Sequence, residues 1–151
     1  MKVLAAGEDH KFVVFGGVEY GTGKIIWHRG EFKGSEGFIK WLDELDEAYP
    51  QEPVLVVLDN VGYHKSRQCK MWWDKHKDHI RPFWLPAYTP NLNLMERIWR
   101  FLKAKLSCHR WWADLPALGE ATDQILVHLK VRFGASNSPS LNLVQNFCNS
   151  A

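Results

Sequence analysis

The feature that most constrains the fold is the apolar run Val54–Leu58, which ends at Asp59 and Asn60. Five consecutive Val and Leu residues with no polar residue among them predict a strand that is buried on both faces. Such strands lie in sheets that helices cover on both sides. The run therefore predicts a mixed α/β domain and places Asp59 at the carboxyl end of an interior strand, where open α/β sheets position ligands and catalytic groups.

The segments around this run predict the other elements. Residues 11–18 and 24–28 are rich in β-branched and aromatic residues and are separated by a Gly-containing turn, which predicts a β-hairpin. Ser35 is a candidate cap for a helix that ends near Tyr49, because Pro50 disfavours helix at the residue before it. Further along, the pattern predicts helices over residues 65–77, 93–107 and 115–133, a strand over 80–85 and a short helix over 141–148.

Composition narrows the class further. With 151 residues, 46% hydrophobic and 24% charged, the chain has the size and composition of one globular domain, which excludes collagen-like and disordered classes. The longest strictly apolar runs are a few residues, so the sequence predicts neither a membrane helix nor a secretory signal. Three cysteines with no C-x-x-C spacing favour a reducing compartment, and we expect a cytoplasmic protein.

The charge is unevenly distributed along the chain. Residues 64–110 contain eleven Lys or Arg against three acids, a balance of +8, which leaves the remainder at −6 for a net charge of +2. Much of that acid lies in residues 36–52, on the predicted first helix. The basic part is where a polyanion would bind, although basic helices are also common on ordinary globular surfaces.

Two acids stand out by position, Asp59 after the buried strand and Glu96 at the start of a helix. Each has a structural explanation. A strand-end Asp often caps the following turn. Glu96 follows Asn93 by three residues, which is nearly a capping box, so it could serve only to satisfy the helix start. Neither acid alone indicates catalysis.

Together with the sequence around them, the two acids resemble a known catalytic arrangement. The stretch Val-Leu-Val-Val-Leu-Asp59-Asn60-Val-Gly-Tyr-His64, a basic helix, and then Leu85-Pro-Ala-Tyr-Thr-Pro-Asn-Leu-Asn-Leu-Met-Glu96-Arg97-Ile-Trp resembles the catalytic core of DDE-type transposases of the bacterial insertion-sequence and mariner kind. The 36 residues between Asp59 and Glu96 fit that family, and the hairpin extends the resemblance over residues 2–110. Ala87 and Leu94 stand where the family often has proline.

The resemblance implies a ribonuclease-H-like, retroviral-integrase-like mixed sheet flanked by helices, in which carboxylates hold two Mg²⁺ or Mn²⁺ ions. Such ions prefer oxygen ligands, and a pair about 4 Å apart can hold both the attacking and the leaving oxygen of a phosphodiester. By resemblance, Asp59 and Glu96 are the catalytic and metal-binding residues, and Asn60 and His64 position the substrate or an ion, although helix capping explains Asn60 and His64 about equally well. The DNA-binding residues implied are Lys65, Arg67, Arg97, Arg100 and Lys103.

The family also uses an Asp on an earlier, central strand, and no segment before the hairpin matches that strand. Glu8 and Asp9 lie in a turn-like segment and are poor substitutes. We therefore expect a fold without its first strand, with unpaired backbone groups on the hairpin and on the Val54–Leu58 strand. Residues 1–112 would form a partial catalytic domain and residues 113–151 a helical extension of it.

The leading hypothesis is DNA transposition by metal-dependent strand cleavage and transfer, with this chain a partial catalytic domain that is inactive alone. The expected partners are DNA, at element ends and target, and another copy, an upstream-frame product or full-length transposase, but no membrane. The alternative is a non-enzymatic DNA-binding or regulatory transposase fragment. A phosphoacceptor receiver domain using Asp59 is disfavoured, since the acidic cluster of its first strand is missing.

Overall fold

The computed structural model describes residues 12–86, 94–107, 112, 114–129 and 142–150. The secondary-structure elements, in chain order, are strands β1 (Val13–Tyr20) and β2 (Ile25–Gly30), helix α1 (Ser35–Ala48), strand β3 (Val54–Leu58), helix α2 (Arg67–His76), strand β4 (Ile80–Trp84), helices α3 (Leu94–Ser107) and α4 (Leu115–His128), and strand β5 (Asn142–Ser150). A short 3₁₀ turn, Gly62–Lys65, connects β3 to α2.

The described strands form one mixed sheet in the order β2-β1-β5-β3-β4. The hairpin β1–β2 is antiparallel, as the sequence predicted, and β3 pairs with β4 in parallel. Strand β5 lies in the centre, antiparallel to β1 with Phe15 opposite Cys148, and parallel to β3 with Leu58 opposite Asn146. The last of the described strands is therefore the middle strand of the sheet.

This central strand corrects two expectations. The short helix predicted over residues 141–148 is wrong, because that segment is β5 and belongs to the sheet rather than to a helical extension. The expected unpaired edges on the hairpin and on β3 are also wrong, because β5 pairs with both strands. Residues 142–150 make the backbone hydrogen bonds to β1 and β3 that would have been lost if the sheet lacked a central strand.

The sheet is covered on both faces. One face of β1 and β3 packs under α1 and α2, and Phe15, Phe38 and Trp41 are fully buried there. The other face packs under α3 and α4, through residues such as Val57 and Met95. Val54, Val56 and Leu58 of β3 belong to the first cluster and Val57 to the second. Both faces of the strand are therefore buried, as the uninterrupted apolar run predicted.

Specific contacts fasten the helices. The buried Trp41 indole donates to the Ile26 carbonyl at 2.9 Å, and Trp72 on α2 donates to Asp43 on α1 at 2.7 Å. The residue before α1 is Gly34, which makes no side-chain cap, so the predicted capping by Ser35 is wrong. The Ser35 hydroxyl instead donates to the Tyr63 carbonyl at 3.3 Å and ties α1 to the turn after β3.

Helix α3 approaches the sheet closely because Gly16 has no side chain. A Cβ atom at Gly16 would lie 3.0 Å from the Trp99 ring, closer than normal packing allows. The predicted inward residues Ile98, Trp99, Leu102 and Leu106 are all buried. Asn93, the predicted cap of α3, lies outside the described residues. Within the described part of the chain, no helix is long and apolar enough to cross a membrane.

The central position of β5 predicts a large effect of proline. Val144 is opposite both Glu19 and Val56, so Val144→Pro removes an N–H from the middle of the sheet and should lower the free energy of unfolding by about 3 kcal/mol or more. Val144→Thr keeps the N–H and should cost much less. Urea unfolding measures both, and equal small effects would contradict a central β5.

Candidate catalytic site

The site is built at the carboxyl end of β3, where the chain leaves the sheet. Leu58 ends the strand, and its carbonyl accepts a hydrogen bond from the Leu85 N–H at 2.7 Å, which extends the β3–β4 ladder by one residue. Asp59 follows directly and is partly exposed, with 34% of its side-chain surface accessible. The sheet therefore fixes the backbone from which the Asp59 carboxylate projects.

A buried histidine lies beside this carboxylate. His64 is fully buried, and its Nδ1 lies 3.2 Å from Asp59 Oδ1 and 3.4 Å from the Asp59 carbonyl oxygen. Both neighbouring oxygens are hydrogen-bond acceptors. Asp59 Oδ1 is itself buried and makes no hydrogen bond among the described residues, so the exposure of the side chain lies on the rest of the carboxyl group.

His64 is in turn held by the aromatic core. Its ring centroid lies 4.2 Å from that of Phe38 on α1 and 4.5 Å from that of Tyr63, which it meets edge-on. The Tyr63 carbonyl accepts from Ser35 and from the Cys69 thiol, the latter at 3.2 Å. Burial raises the pKa of the Cys69 thiol, which keeps it protonated and able to donate.

Asn60 is occupied by contacts within the chain. Its amide nitrogen donates to the Leu85 carbonyl at 2.6 Å, and its side-chain oxygen accepts from the Lys65 ammonium at 2.5 Å. The Lys65 ammonium also lies 5.0 Å above the centre of the Trp84 ring. Asn60 thus ties the ends of β3 and β4 together, while Lys65 bridges it to the end of β4.

Glu96 lies on the first turn of α3 and is exposed. The residues around it, Met95 and Ile98, are buried in the same cluster as Val57, two residues before Asp59. The start of α3 therefore packs on the face of the sheet that Val57 occupies. Arg100 lies 3.9 Å from Glu96, a long ion pair between exposed side chains.

The predicted DNA-binding residues fall on two helices and the turn. Arg67 on α2, Arg97 and Arg100 on α3, and Lys65 in the turn are exposed, and Lys103 is partly buried. Sequence reasoning missed Trp84 as a neighbour of this site. The sequence did contain a sign of this position, because side chains alternate along a strand and Trp84 therefore shares a face of β4 with Ile80 and Pro82.

Comparison with known proteins gives the family. The family model described as DDE superfamily endonuclease matches residues 2–119. The chain is 30% identical over 116 residues to the insertion element IS630 uncharacterized 39 kDa protein of Shigella sonnei, a match that covers 74% of this chain. The chain spans about a third, 34%, of the length of that relative.

Solved structures give the fold. The catalytic core domain of BIV integrase superposes with a TM-score of 0.60 at 18% identity, covering 85% of this chain and 82% of that domain. A chain of the simian T-cell lymphotropic virus intasome, solved with PP2A regulatory subunit B56 gamma, gives a TM-score of 0.61 at 21% identity, covering 80% and 44%. The predicted retroviral-integrase-like, ribonuclease-H-like fold is confirmed, and with the family match over most of its length this chain belongs to the DDE superfamily endonucleases of the insertion-sequence type.

Proposed function

We propose that this chain supplies two metal-binding carboxylates, Asp59 and Glu96, to the DNA-cleaving and strand-transferring site of a transposase. The observation that carries the proposal is the fixed position of Asp59, at the end of an interior strand, with one oxygen turned to a buried histidine and the rest of the carboxyl group accessible. The burial of Met95 and Ile98, which flank Glu96, in the same cluster as Val57 supports including Glu96 in this site.

The donor set fits divalent cations. Asp59 and Glu96 offer carboxylate oxygens, the ligands that Mg²⁺ and Mn²⁺ prefer. Asp59 lies beside a histidine, and the contact between Glu96 and Arg100 is a long one of 3.9 Å between exposed side chains. Bound divalent ions would activate an attacking water and stabilise the leaving oxygen of a phosphodiester.

The protein's own residues would prepare the site. His64 would act as a positioning residue, since it is buried and its Nδ1 lies 3.2 Å from Asp59 Oδ1, where it limits the orientation of the carboxylate. Asn60 keeps the ends of β3 and β4 at a fixed separation. Lys65, Arg67, Arg97, Arg100 and Lys103 would contact DNA phosphates at element ends and target, which gives affinity that depends on salt more than on sequence.

The proposed site has two carboxylates in this chain. Among the described residues, no group of three His, Cys, Asp or Glu side chains could hold a metal ion. The central strand β5 reads Asn-Leu-Val-Gln-Asn-Phe-Cys-Asn-Ser and contains no acid. We therefore propose that the chain does not cleave DNA alone, and that activity requires association with another copy or with a longer transposase chain.

The acid-free central strand also favours a second candidate, a non-enzymatic DNA-binding or regulatory role. In that role the exposed Lys and Arg side chains of α2 and α3 would bind DNA without a bound metal ion. The two candidates differ in one property, because only the first gives Asp59 and Glu96 a cation to bind.

Metal binding is the first test. Mn²⁺ at about ten times its dissociation constant should stabilise the native chain by about 1.4 kcal/mol, seen as a rise of a few degrees in the melting temperature. The rise should disappear in Asp59→Asn and in Glu96→Gln but persist in Asp78→Asn, an exposed acid elsewhere on the surface. An equal rise in all four proteins would contradict the assigned ligands.

His64 should matter for both packing and metal affinity. His64→Ala opens a cavity beside Phe38 and leaves Asp59 Oδ1 without its neighbour, so unfolding should become easier by about 2–4 kcal/mol. His28→Ala, which breaks a partly exposed pair with Glu44, should cost about 1 kcal/mol or less. His64→Phe preserves ring packing, and a full Mn²⁺ response in that folded variant would show that His64 does not position Asp59.

Binding without cleavage separates the two candidate functions. Fluorescence anisotropy should show DNA affinity that falls with salt, and Arg97→Ala or Arg100→Ala should each reduce the log–log salt slope by about one. The chain should not nick supercoiled plasmid in Mn²⁺. Nicking that Asp59→Asn abolishes would show that the chain is active alone, and a Mn²⁺ requirement for binding would argue against the non-enzymatic role.

A further inference from the structure

Strand β5 occupies a slot whose two sides are joined to each other without it. We call the gap between β1 and β3 the β5 slot, since β5 pairs with both strands there. Helix α1 contacts both halves of the sheet on one face. Its Trp41 indole donates to the Ile26 carbonyl on β2 at 2.9 Å, and its Asp43 accepts from the Trp72 indole on α2 at 2.7 Å. The hairpin and the β3–β4 half therefore have a connection that does not pass through β5.

The opposite face of the β5 slot is covered in the same way. Trp99 of α3 lies against Gly16 of β1 and belongs to the same buried cluster as Val57 of β3. The strands on either side of the slot are therefore joined by helices over both faces. Strand β5 binds between them through backbone ladders to β1 and β3. Such ladders use main-chain groups, which every copy of the chain presents alike.

The connection to β5 is long, and the helix before it is fastened to another strand. Asp123 of α4 accepts from the Trp27 indole at 3.0 Å and pairs with Arg29 at 2.9 Å, so α4 is tied to β2. Residues 130–141 lie between α4 and β5, and they include one Gly, one Pro and three Ser, a composition typical of loops. Twelve residues can extend to about 40 Å, more than the roughly 30 Å diameter of a small domain. The connection is therefore long enough for β5 to reach the slot of a neighbouring copy.

We propose that β5 is exchanged between two copies of this chain, each inserting its residues 142–150 into the β5 slot of the other. The exchange keeps every backbone pair of β5, so it produces a closed two-fold dimer at little cost in interactions. The inference rests on the proposed function, because it gives the association with another copy a defined contact surface.

An exchanged β5 would also flank the other copy's candidate site. Among the described pairs, β3 is paired with β5 up to Leu58, which is opposite Asn146. Residues 147–150 continue along β1, past the level at which the chain leaves β3 at Asp59. The backbone beside each Asp59 would then come from the other copy, so neither site is complete without two copies.

Cysteine crosslinking between copies tests the exchange. One copy carries Tyr20→Cys and the other Leu143→Cys, since residues 20 and 143 are opposite each other on β1 and β5. Directly opposed residues have Cα atoms about 4.5–5.5 Å apart, which a disulfide can bridge. Both copies also carry Cys108→Ser and Cys148→Ser. They are unfolded together, refolded at high protein concentration in EDTA and oxidised with glutathione disulfide. Exchange should give a disulfide-linked dimer on a non-reducing gel.

Gln145→Cys in place of Leu143→Cys is the matched control, because residue 145 is opposite Val18 and lies two positions out of register with Tyr20. Diagonal neighbours are about 7–8 Å apart, beyond the usual disulfide range, so the combination of positions 20 and 143 should give about tenfold more dimer. Equal yields from the two combinations overturn the proposal.

A single chain with both Tyr20→Cys and Leu143→Cys checks that the substitutions leave β5 able to pair. Refolded at low concentration, it should close an internal disulfide. Failure to close means that β5 does not pair with β1 in this register, which overturns the proposal. Closure in the single chain with no dimer from the mixed copies means that β5 stays in its own chain, which also overturns it. The crosslink needs no metal and the Mn²⁺ melt needs no crosslink, so failure of the exchange and failure of the metal site are distinct results.

Discussion

The structure depends on one constraint, the pairing of β5 with a strand on each side. The carbonyl and amide groups of β1 and β3 are satisfied in the middle of the sheet only because residues 142–150 lie between them. This pairing fixes the spacing between the hairpin and β3, and therefore the surface on which α3 packs over Gly16. The position of Asp59 relative to the helix that carries Glu96 follows from the same spacing.

The candidate site is continuous with the hydrophobic core. Phe38, which packs among the fully buried side chains of α1, contacts the ring of His64, and His64 in turn lies beside Asp59. One oxygen of the carboxylate is removed from water and lies 3.2 Å from a ring that the core orients. Stability of the α1 side of the sheet and order at the site are therefore coupled through three side chains.

The sequence predicted the elements whose signals are local. The apolar run of β3, the hairpin and the periodic helices α1, α2 and α3 were found, and the strand-end position of Asp59 followed. Residues 141–148 were predicted as a helix because a short apolar pattern fits either period, and pairing with β1 is set by residues about 130 positions earlier. Ser35 was predicted as a cap, but the Tyr63 carbonyl, distant in sequence, takes its hydroxyl. The burial of His64 arises from packing between elements, which a linear pattern does not contain.

The location of β5 has a consequence for how the chain acquires its fold. Among the described strands, the one that occupies the middle of the sheet is the last to leave the ribosome, and Val14 must wait for Asn149 before its ladder is complete. Contacts of such large sequence separation close slowly. During synthesis the hairpin and the β3–β4 pair can form as separate halves, which join only when residues 142–150 have been made and pair with both.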